Sequence, residues 1–366
     1  MKVLAAVARA PRAPFTMEAL ELELPRDDEI LVRVVATGVC HTDIAMRDQV
    51  FPVPQPIVLG HEGSGVVEAV GKAVAKVRTG DSVVMTYGSC GHCPSCYAAR
   101  PSYCHSFFDY NFAGRRTDGS TALSQDRTPV HSNFFGQSSF ATHALCRERN
   151  VVRVPSDVPL ELLGPLACGI QTGAGAVMNA LRVGIGHSIA VFGTGSVGLS
   201  AIMAAHLVGA TTIIGVDLNN ARLSLARELG ATHTINPAES DLAELIQAAC
   251  PQGVNFALET TGRPPIIRQA VETLAPLGTC GLLGATEVTA DMTLNVAHLM
   301  TAGRCMRGII EGDSIPDLFI PALIELYKQR RFPFDRLVRF YPFHALNEAI
   351  QDSENGTVIK AVVRMP

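Results

Sequence analysis

Ile189-Ala-Val-Phe192, running into Gly193-Thr-Gly195-Ser196-Val197-Gly198, is the stretch that decides the fold. A short apolar strand enters a turn with glycine at its first, third and sixth places, and Val197–Val208 then reads as a helix. Gly193 permits the tight turn, Gly195 lets backbone approach a pyrophosphate, and Gly198 permits close helix–strand packing. Ser196 and Val197 open the helix, where unpaired N–H groups face the phosphates. A second strand, Thr212–Val216, ends at Asp217, 19 residues after Gly198. An acid there bonds ribose hydroxyls and repels a 2′-phosphate, so the pattern predicts NAD rather than NADP. Arg222, one turn into the next helix, either flanks the adenosine or lies on the surface. An ordinary strand–helix turn with a solvated aspartate is the plain alternative to the whole reading.

Outward from this turn the alternation continues. Helices over Asn220–Leu229, Asp241–Cys250 and Arg263–Leu274 alternate with strands over Thr232–Ile235, Asn255–Glu259 and Thr279–Gly284, which predicts a parallel sheet covered on both faces. The first 160 residues instead read as β-rich, with runs at Ile30–Thr37, Gly65–Val70 and Ser82–Thr86. Residues 113–133 are polar and irregular and read as a long loop. A helix over Ile315–Gln329 and strands over Leu337–Phe340 and Val358–Val363 close the chain. Val183–Val216 holds 34 residues without Asp, Glu, Lys or Arg, long enough for a membrane span. Its seven glycines and strand-like ends favour a buried strand–helix–strand unit, so no membrane partner is expected. A length of 366 residues suits two domains. Thirty Lys and Arg against 34 Asp and Glu, with no basic block, argue against nucleic acid as a partner. Hydrophobic residues make up 47% of the chain, which excludes a disordered polymer.

The ten cysteines fall into groups. Cys90, Cys93, Cys96 and Cys104 lie within 15 residues, a spacing that wraps one tetrahedral Zn²⁺ in a closed, structural site. An iron–sulfur cluster is the alternative chemistry. A second set is scattered: Cys40, His61 and Cys168. Two thiolates and an imidazole with a fourth place open suit a catalytic zinc, yet no spacing rule makes these three converge. Each also has a bland reading as a buried small hydrophobe or a satisfied core histidine. No leader-like apolar stretch follows Val3–Ala8, and clustered metal-type cysteines suit a reducing compartment, so a cytoplasmic location is expected.

Gly60-His61-Glu62 with Gly65, Gly71 and Val74, then the four-cysteine run, then Gly164-Pro-Leu-Ala-Cys168-Gly169, then the glycine turn, occur in one order. In that order the chain resembles the zinc-dependent medium-chain alcohol dehydrogenases over essentially its whole length. Cys40-His-Thr-Asp43, Phe51-Pro-Val-Pro54, Phe134-Phe-Gly-Gln-Ser-Ser-Phe140, Leu163 to Gly175 and Arg331-Phe-Pro-Phe-Asp335 look most like the bacterial aryl-alcohol (benzyl-alcohol) branch. The resemblance implies an α/β protein. A β-rich GroES-like catalytic domain would span residues 1–169, a Rossmann NAD-binding domain 170–308, and 309–366 would return to the catalytic domain.

The same resemblance implies roles. Cys40, His61 and Cys168 would hold the catalytic zinc, and the four-cysteine run a second, structural zinc. Asp43 would hold the His61 ring, and Glu62 would lie behind the metal. Thr42 would take the alcohol proton, and His41 would sit near the cofactor pyrophosphate. The reaction implied is hydride transfer from an alcohol to NAD⁺. Some relatives carry a relay histidine where this chain has Ala45, so the proton's exit differs. Phe51, Phe134, Phe135, Ala285 and Ile309 would fall near the substrate, or the two adjacent phenylalanines would simply pack the domain. An apolar slot suits benzyl alcohol, and equally an allylic terpene alcohol such as geraniol or perillyl alcohol. A zinc- and nucleotide-binding sensor without catalysis is the reading from a different class. A homodimer or homotetramer is expected, with Thr279–Gly284 and Ala290–Gly308 as interface candidates.

Overall fold

The computed structural model describes every residue from Met1 to Pro366. The chain divides into two units, Met1–Cys168 with Ile315–Lys328 and Asp335–Pro366, and Gly169–Ser314 with Gln329–Phe334.

The first unit is built from two β-sheets. One has five strands, in the spatial order Ile57–Val58, Lys2–Ala8, Thr16–Leu22, Leu123–Gln125, Thr128–Val130. The other centres on Glu29–Gly38, where Ile30, Val32 and Val34 are buried while Arg33 faces outward, the alternation of a half-buried strand. Glu29–Gly38 pairs antiparallel with Glu62–Val70, His143–Arg147 and Lys360–Arg364. Two register points matter for function. Gly38 stands opposite Glu62, and Val362 also stands opposite Gly38. The segments that follow Gly38 and precede Glu62 are therefore neighbours, with the C-terminal strand beside them.

In the second unit six strands run parallel, in the order His233–Ile235, Thr212–Val216, Ser188–Phe192, Val254–Glu259, Leu274–Leu282, Cys305–Gly308. Numbered along the chain this is 3-2-1-4-5-6, the order of a Rossmann sheet. Ile189, Ala190, Val191, Ile213, Ile214, Ala257 and Leu258 are completely buried, as strands covered on both faces must be.

One expectation holds and two change. The uncharged stretch 183–216 is a strand, the helix Ser196–Leu207 and a second strand, and no helix is long and apolar enough to cross a membrane. Residues 113–133 are not wholly loop: Leu123–Gln125 and Thr128–Val130 form a hairpin. Residues 309–314 belong with the second unit. Gly312 packs there so tightly that a Cβ would lie 2.5 Å from the Gln171 carbonyl oxygen, and Gln171 Nε2 donates to Glu311 Oε2 at 3.1 Å.

Candidate metal and cofactor sites

Cys40 stands at the N-terminus of the short helix His41–Arg47, in extended backbone just after Gly38. Asp43, in the first turn and fully buried, is the organising side chain. Its Oδ2 accepts the Cys40 N–H at 3.0 Å, and its Oδ1 accepts both the Gly60 N–H at 3.0 Å and His61 Nδ1 at 2.9 Å. One carboxylate thus fixes two donor segments and the tautomer of the imidazole. Cys168 arrives from the end of the turn Gly164–Ala167. The donor atoms of Cys40, His61, Glu62 and Cys168 all lie within 4.8 Å of one another. The trio that no spacing rule could join is joined. The residues fit a metal on an independent observation: His61 Nε2 is buried without a hydrogen-bond partner. Such an orphan is costly unless something accepts its lone pair. The Cys168 thiol's hydrogen bond holds the Cys40 thiol well below the usual thiol range, against burial, and the nearby charges of His61 and Lys360 add to it. A thiolate is the metal-binding form.

Glu62 points away from solvent into a second buried group. Lys360 Nζ donates to Glu62 Oε1 at 2.8 Å, to Oε2 at 2.9 Å and to the Val39 carbonyl at 3.1 Å. Burial pushes the Glu62 carboxyl up to about 7 against the pull of the Lys360 charge. Burial alone would lower the Lys360 ammonium, but Glu62 together with the charges of Cys40 and Cys168 outweighs it and holds it above its ordinary value. Gly38 leaves room for this pair, since a Cβ there would lie 2.0 Å from Glu62 Oε2.

Cys90, Cys93, Cys96 and Cys104 form the other cluster, their sulfurs also within 4.8 Å of one another. Backbone donors surround it. The N–H groups of Cys90, Cys93 and His105 reach Cys104 Sγ at 3.2 Å, Cys90 Sγ at 3.3 Å and Cys93 Sγ at 3.4 Å. The hydrogen bond from His105 N–H, with others from Cys96, brings the Cys93 thiol down to about 6. His92 turns its Nδ1 to the Cys90 carbonyl at 2.9 Å, and no donor atom of His92 or His105 belongs to the cluster.

In the second unit the glycine turn is packed closely at two of its three glycines. Gly193 has φ +90°, and a Cβ on Gly198 would lie 1.9 Å from the Gly193 carbonyl oxygen. A Cβ on Gly195 would meet nothing within 4 Å, so space stands open over the turn, as a pyrophosphate needs. Asp217 is half-buried and accepts from Thr194 N–H at 2.7 Å, Thr194 Oγ1 at 3.0 Å and Asn219 N–H at 2.9 Å. Arg222 Nε is buried without a hydrogen-bond partner.

A family model described as zinc-binding dehydrogenase matches residues 196–329, and one described as alcohol dehydrogenase GroES-like domain matches residues 26–156. The chain is 48% identical over 361 residues to a geraniol dehydrogenase of Castellaniella defragrans, covering 98% of this chain and 96% of that protein. It belongs to the zinc-dependent alcohol dehydrogenase family. Two solved structures agree. A benzyl alcohol dehydrogenase of Acinetobacter calcoaceticus superposes with a TM-score of 0.97 at 48% identity over the full length of both chains. An alcohol dehydrogenase zinc-binding domain protein of Burkholderia ambifaria superposes with a TM-score of 0.98 at 54% identity, over 100% of this chain and 99% of that one.

As an alcohol dehydrogenase of this family the protein uses zinc and a nicotinamide dinucleotide, and the donor sets and the open glycine turn suit both. Phe134 and Phe135 are buried and lie on His61: the Phe135 ring stacks on the imidazole at 4.5 Å and 28°, and Phe134 meets it edge-on at 5.5 Å. Phe51 is half-buried against the same core. Ile309 is buried and Ala285 exposed, both in the second unit. His41 is exposed and Thr42 half-buried, with Thr42 Oγ1 3.7 Å from Cys40 Sγ. Sequence reasoning missed Lys360 and Gln137. Gln137 accepts the Gly63 N–H at 3.1 Å and donates to the His61 carbonyl at 3.0 Å. A lone lysine near a C-terminus and a glutamine in a loop carry no local signal.

Proposed function

We propose that this alcohol dehydrogenase oxidises a small apolar primary alcohol of the benzyl type to its aldehyde, reversibly, with NAD⁺ as the hydride acceptor. The observation that carries the reading is the convergence of Cys40, His61 and Cys168 around an orphaned imidazole nitrogen. Zinc bound there supplies Lewis-acid polarisation of the alcohol oxygen, and NAD⁺ accepts the hydride. The chain's own residues do the rest. Cys40, His61 and Cys168 leave a fourth place open. Asp43 holds the imidazole at Nδ1, and Glu62, clamped by Lys360, lies behind that place. Thr42 accepts the alcohol proton at Oγ1 and passes its own outward. Ala45 offers no acceptor, so the proton leaves through exposed His41 or water. Asp217 favours NAD⁺ by repelling a 2′-phosphate. Phe51, Phe134 and Phe135 give the substrate apolar neighbours, and Arg222 flanks the adenosine.

A second reading, an allylic terpene alcohol such as geraniol or perillyl alcohol, is favoured by the equal identity to the geraniol dehydrogenase. A homodimer or homotetramer built on the second unit is also proposed. Cys305–Gly308 is an edge strand, and Val296 and Met300 nearby in sequence are exposed.

The test is a kcat/KM panel over benzyl, cinnamyl, geranyl, perillyl and ethyl alcohols with NAD⁺ and NADP⁺. Benzyl alcohol with NAD⁺ should lead. A tenfold lead for geraniol moves the protein to the second reading. No turnover on any of them leaves a binding protein without catalysis.

A further inference from the structure

The four-cysteine lobe and the Cys40–His61–Cys168 centre are joined by a run of aromatic rings. The short helix Phe107–Asn111 begins three residues after Cys104, with Phe107 N–H on the Cys104 carbonyl at 2.9 Å. Asn111 locks that helix to the strand exit before Cys90, accepting the Gly88 N–H at 2.7 Å and donating to the Gly88 carbonyl at 3.0 Å. From this lobe Phe112 meets Phe135 edge-on at 5.1 Å, and Phe107 meets it at 6.5 Å and 88°. Phe112 also meets Phe134 at 5.9 Å. Phe135 in turn is the ring that stacks on His61.

Phe135 is held in that place against its own backbone preference. Its φ is +49°, in the left-handed region that side-chain-bearing residues rarely adopt. Asn133, Gly136 and Ser138 around it also have positive φ. Such strain persists only where surroundings over-determine it. Here Asn150 Nδ2 donates to the Phe135 carbonyl at 3.3 Å, and Gln137 ties the same loop to His61 and Gly63. Asp43 holds one point of the imidazole, its Nδ1. One hydrogen bond fixes a distance and leaves the ring free to tilt about it. The stacked face of Phe135 and the edge-on contact of Phe134, two rings that also touch each other, restrict that tilt.

We infer that Phe135 is a positioning residue that sets the tilt of the His61 imidazole toward its metal, and that the four-cysteine lobe buttresses it through Phe112 and Phe107. The inference rests on the reading of Cys40, His61 and Cys168 as zinc ligands. It makes the structural metal a determinant of the catalytic one without any shared ligand.

The test uses the full-length enzyme carrying both metals, with cobalt exchanged into the Cys40–His61–Cys168 site. F135L keeps an apolar side chain and removes the ring face. F112L removes the buttress and leaves Phe135. Without substrate present, F135L should shift the cobalt visible bands and release that metal to a chelator about 10–100-fold faster, the range typical of lost ligand support. It should lower kcat more than it changes KM. F112L should move the same readouts the same way by less, and the double variant should match F135L alone. F135Y, which restores a ring face, should restore the spectrum. A wild-type spectrum and release rate in F135L overturn the positioning role, which a mere pocket wall would leave untouched. Effects of F112L that multiply onto F135L overturn the bridge. Should F135L not fold, a wild-type cobalt spectrum in F112L overturns it instead. Wild-type protein holding only one metal per chain would mean that the ligand reading itself has failed.

Discussion

The four-cysteine lobe draws its donors from one short run, residues 90–104, while the other donor set draws Cys40, His61 and Cys168 from three distant segments. The lobe's sulfurs are largely half-exposed and are held by backbone N–H groups. The second set is held from inside by buried side chains, Asp43, Lys360 and Gln137. A local closed site folds its own loop and needs little help from the core. A dispersed set has no local run to hold it, so buried side chains must bring its donors together. The lobe should therefore answer to stability measurements, and the dispersed set to activity.

The largest expected effect is on the dispersed set. C40A should lower turnover of benzyl alcohol by about 1000-fold or more, the scale of several kcal/mol of lost charge stabilisation. Metal content should fall from two ions per chain to one, with the thermal midpoint little changed. NADH absorbance, elemental analysis and calorimetry read the three outcomes. A large drop in Tm for C40A would erase the contrast between the regions. The mirror variant is C93A in the lobe. A loss of even about 3 kcal/mol of metal-linked folding energy lowers Tm by about 6–12 °C in a domain of this size. A Tm unchanged to within about 1 °C would show that the lobe contributes no folding energy.

Asp43 sharpens the comparison, because it touches three backbone or ring groups of the dispersed set and none of the lobe. D43N should weaken binding of the metal at His61 by about 10–100-fold, while the lobe's metal stays. Competition with a graded series of chelators measures both affinities in one sample. Equal weakening at the two sites would mean a global loss of structure. Asp217 gives a smaller effect in the other unit. If Asp217 has the role proposed for it, D217S removes the charge that repels a 2′-phosphate, and the ratio of kcat/KM for NADP⁺ over NAD⁺ should rise by about tenfold or more. An unmoved ratio would mean that Asp217 serves only Thr194 and Asn219.

How much of this could be read from the chain follows the same division. The cysteine run and the glycine turn are local, so spacing alone exposes their chemistry. Ser188–Phe192 and Thr212–Val216 lie where the apolar runs put them, within a residue. The dispersed set depends on the register that puts Gly38 opposite Glu62, and no local pattern encodes a register between strands so far apart. Family resemblance supplied it; spacing did not. Lys360 is invisible for the same reason, since its meaning comes from pairing across the sheet with a residue nearly the whole chain away. The hairpin inside 113–133 was missed through its turn. Asp126 and Arg127 both take positive φ, +48° and +67°, a two-residue turn usually signalled by Asn-Gly or Asp-Gly. Arginine in the second place hides it.

The remaining cysteines offer the finest test of the contrast, because they lie in neither metal set. Cys146 is buried between strands, and burial, with Glu29 nearby, pushes its thiol far above the usual range. Cys280 is buried in the parallel sheet, and burial, with the Glu259 charge adding, pushes its thiol up to about 12. Cys250 is also buried, whereas Cys305 is exposed on the edge strand. The thiolate is the form that attacks a disulfide reagent, so a raised pKa removes reactivity at any pH below it. At pH 8, with both metals bound, a disulfide reagent should therefore modify one thiol per chain, Cys305, and C305S should abolish the signal. Prior removal of the metal at His61 should add Cys40 and Cys168, and loss of the lobe's metal should add four more. A monomer-sized shift in reactivity of Cys305 with protein concentration would show that the edge strand is covered in the oligomer. Reaction at Cys146 or Cys280 in the holoenzyme would mean that the sheets open on the timescale of labelling. In that case the strand Glu29–Gly38, which pairs with Cys146 and leads into Cys40, would open with it.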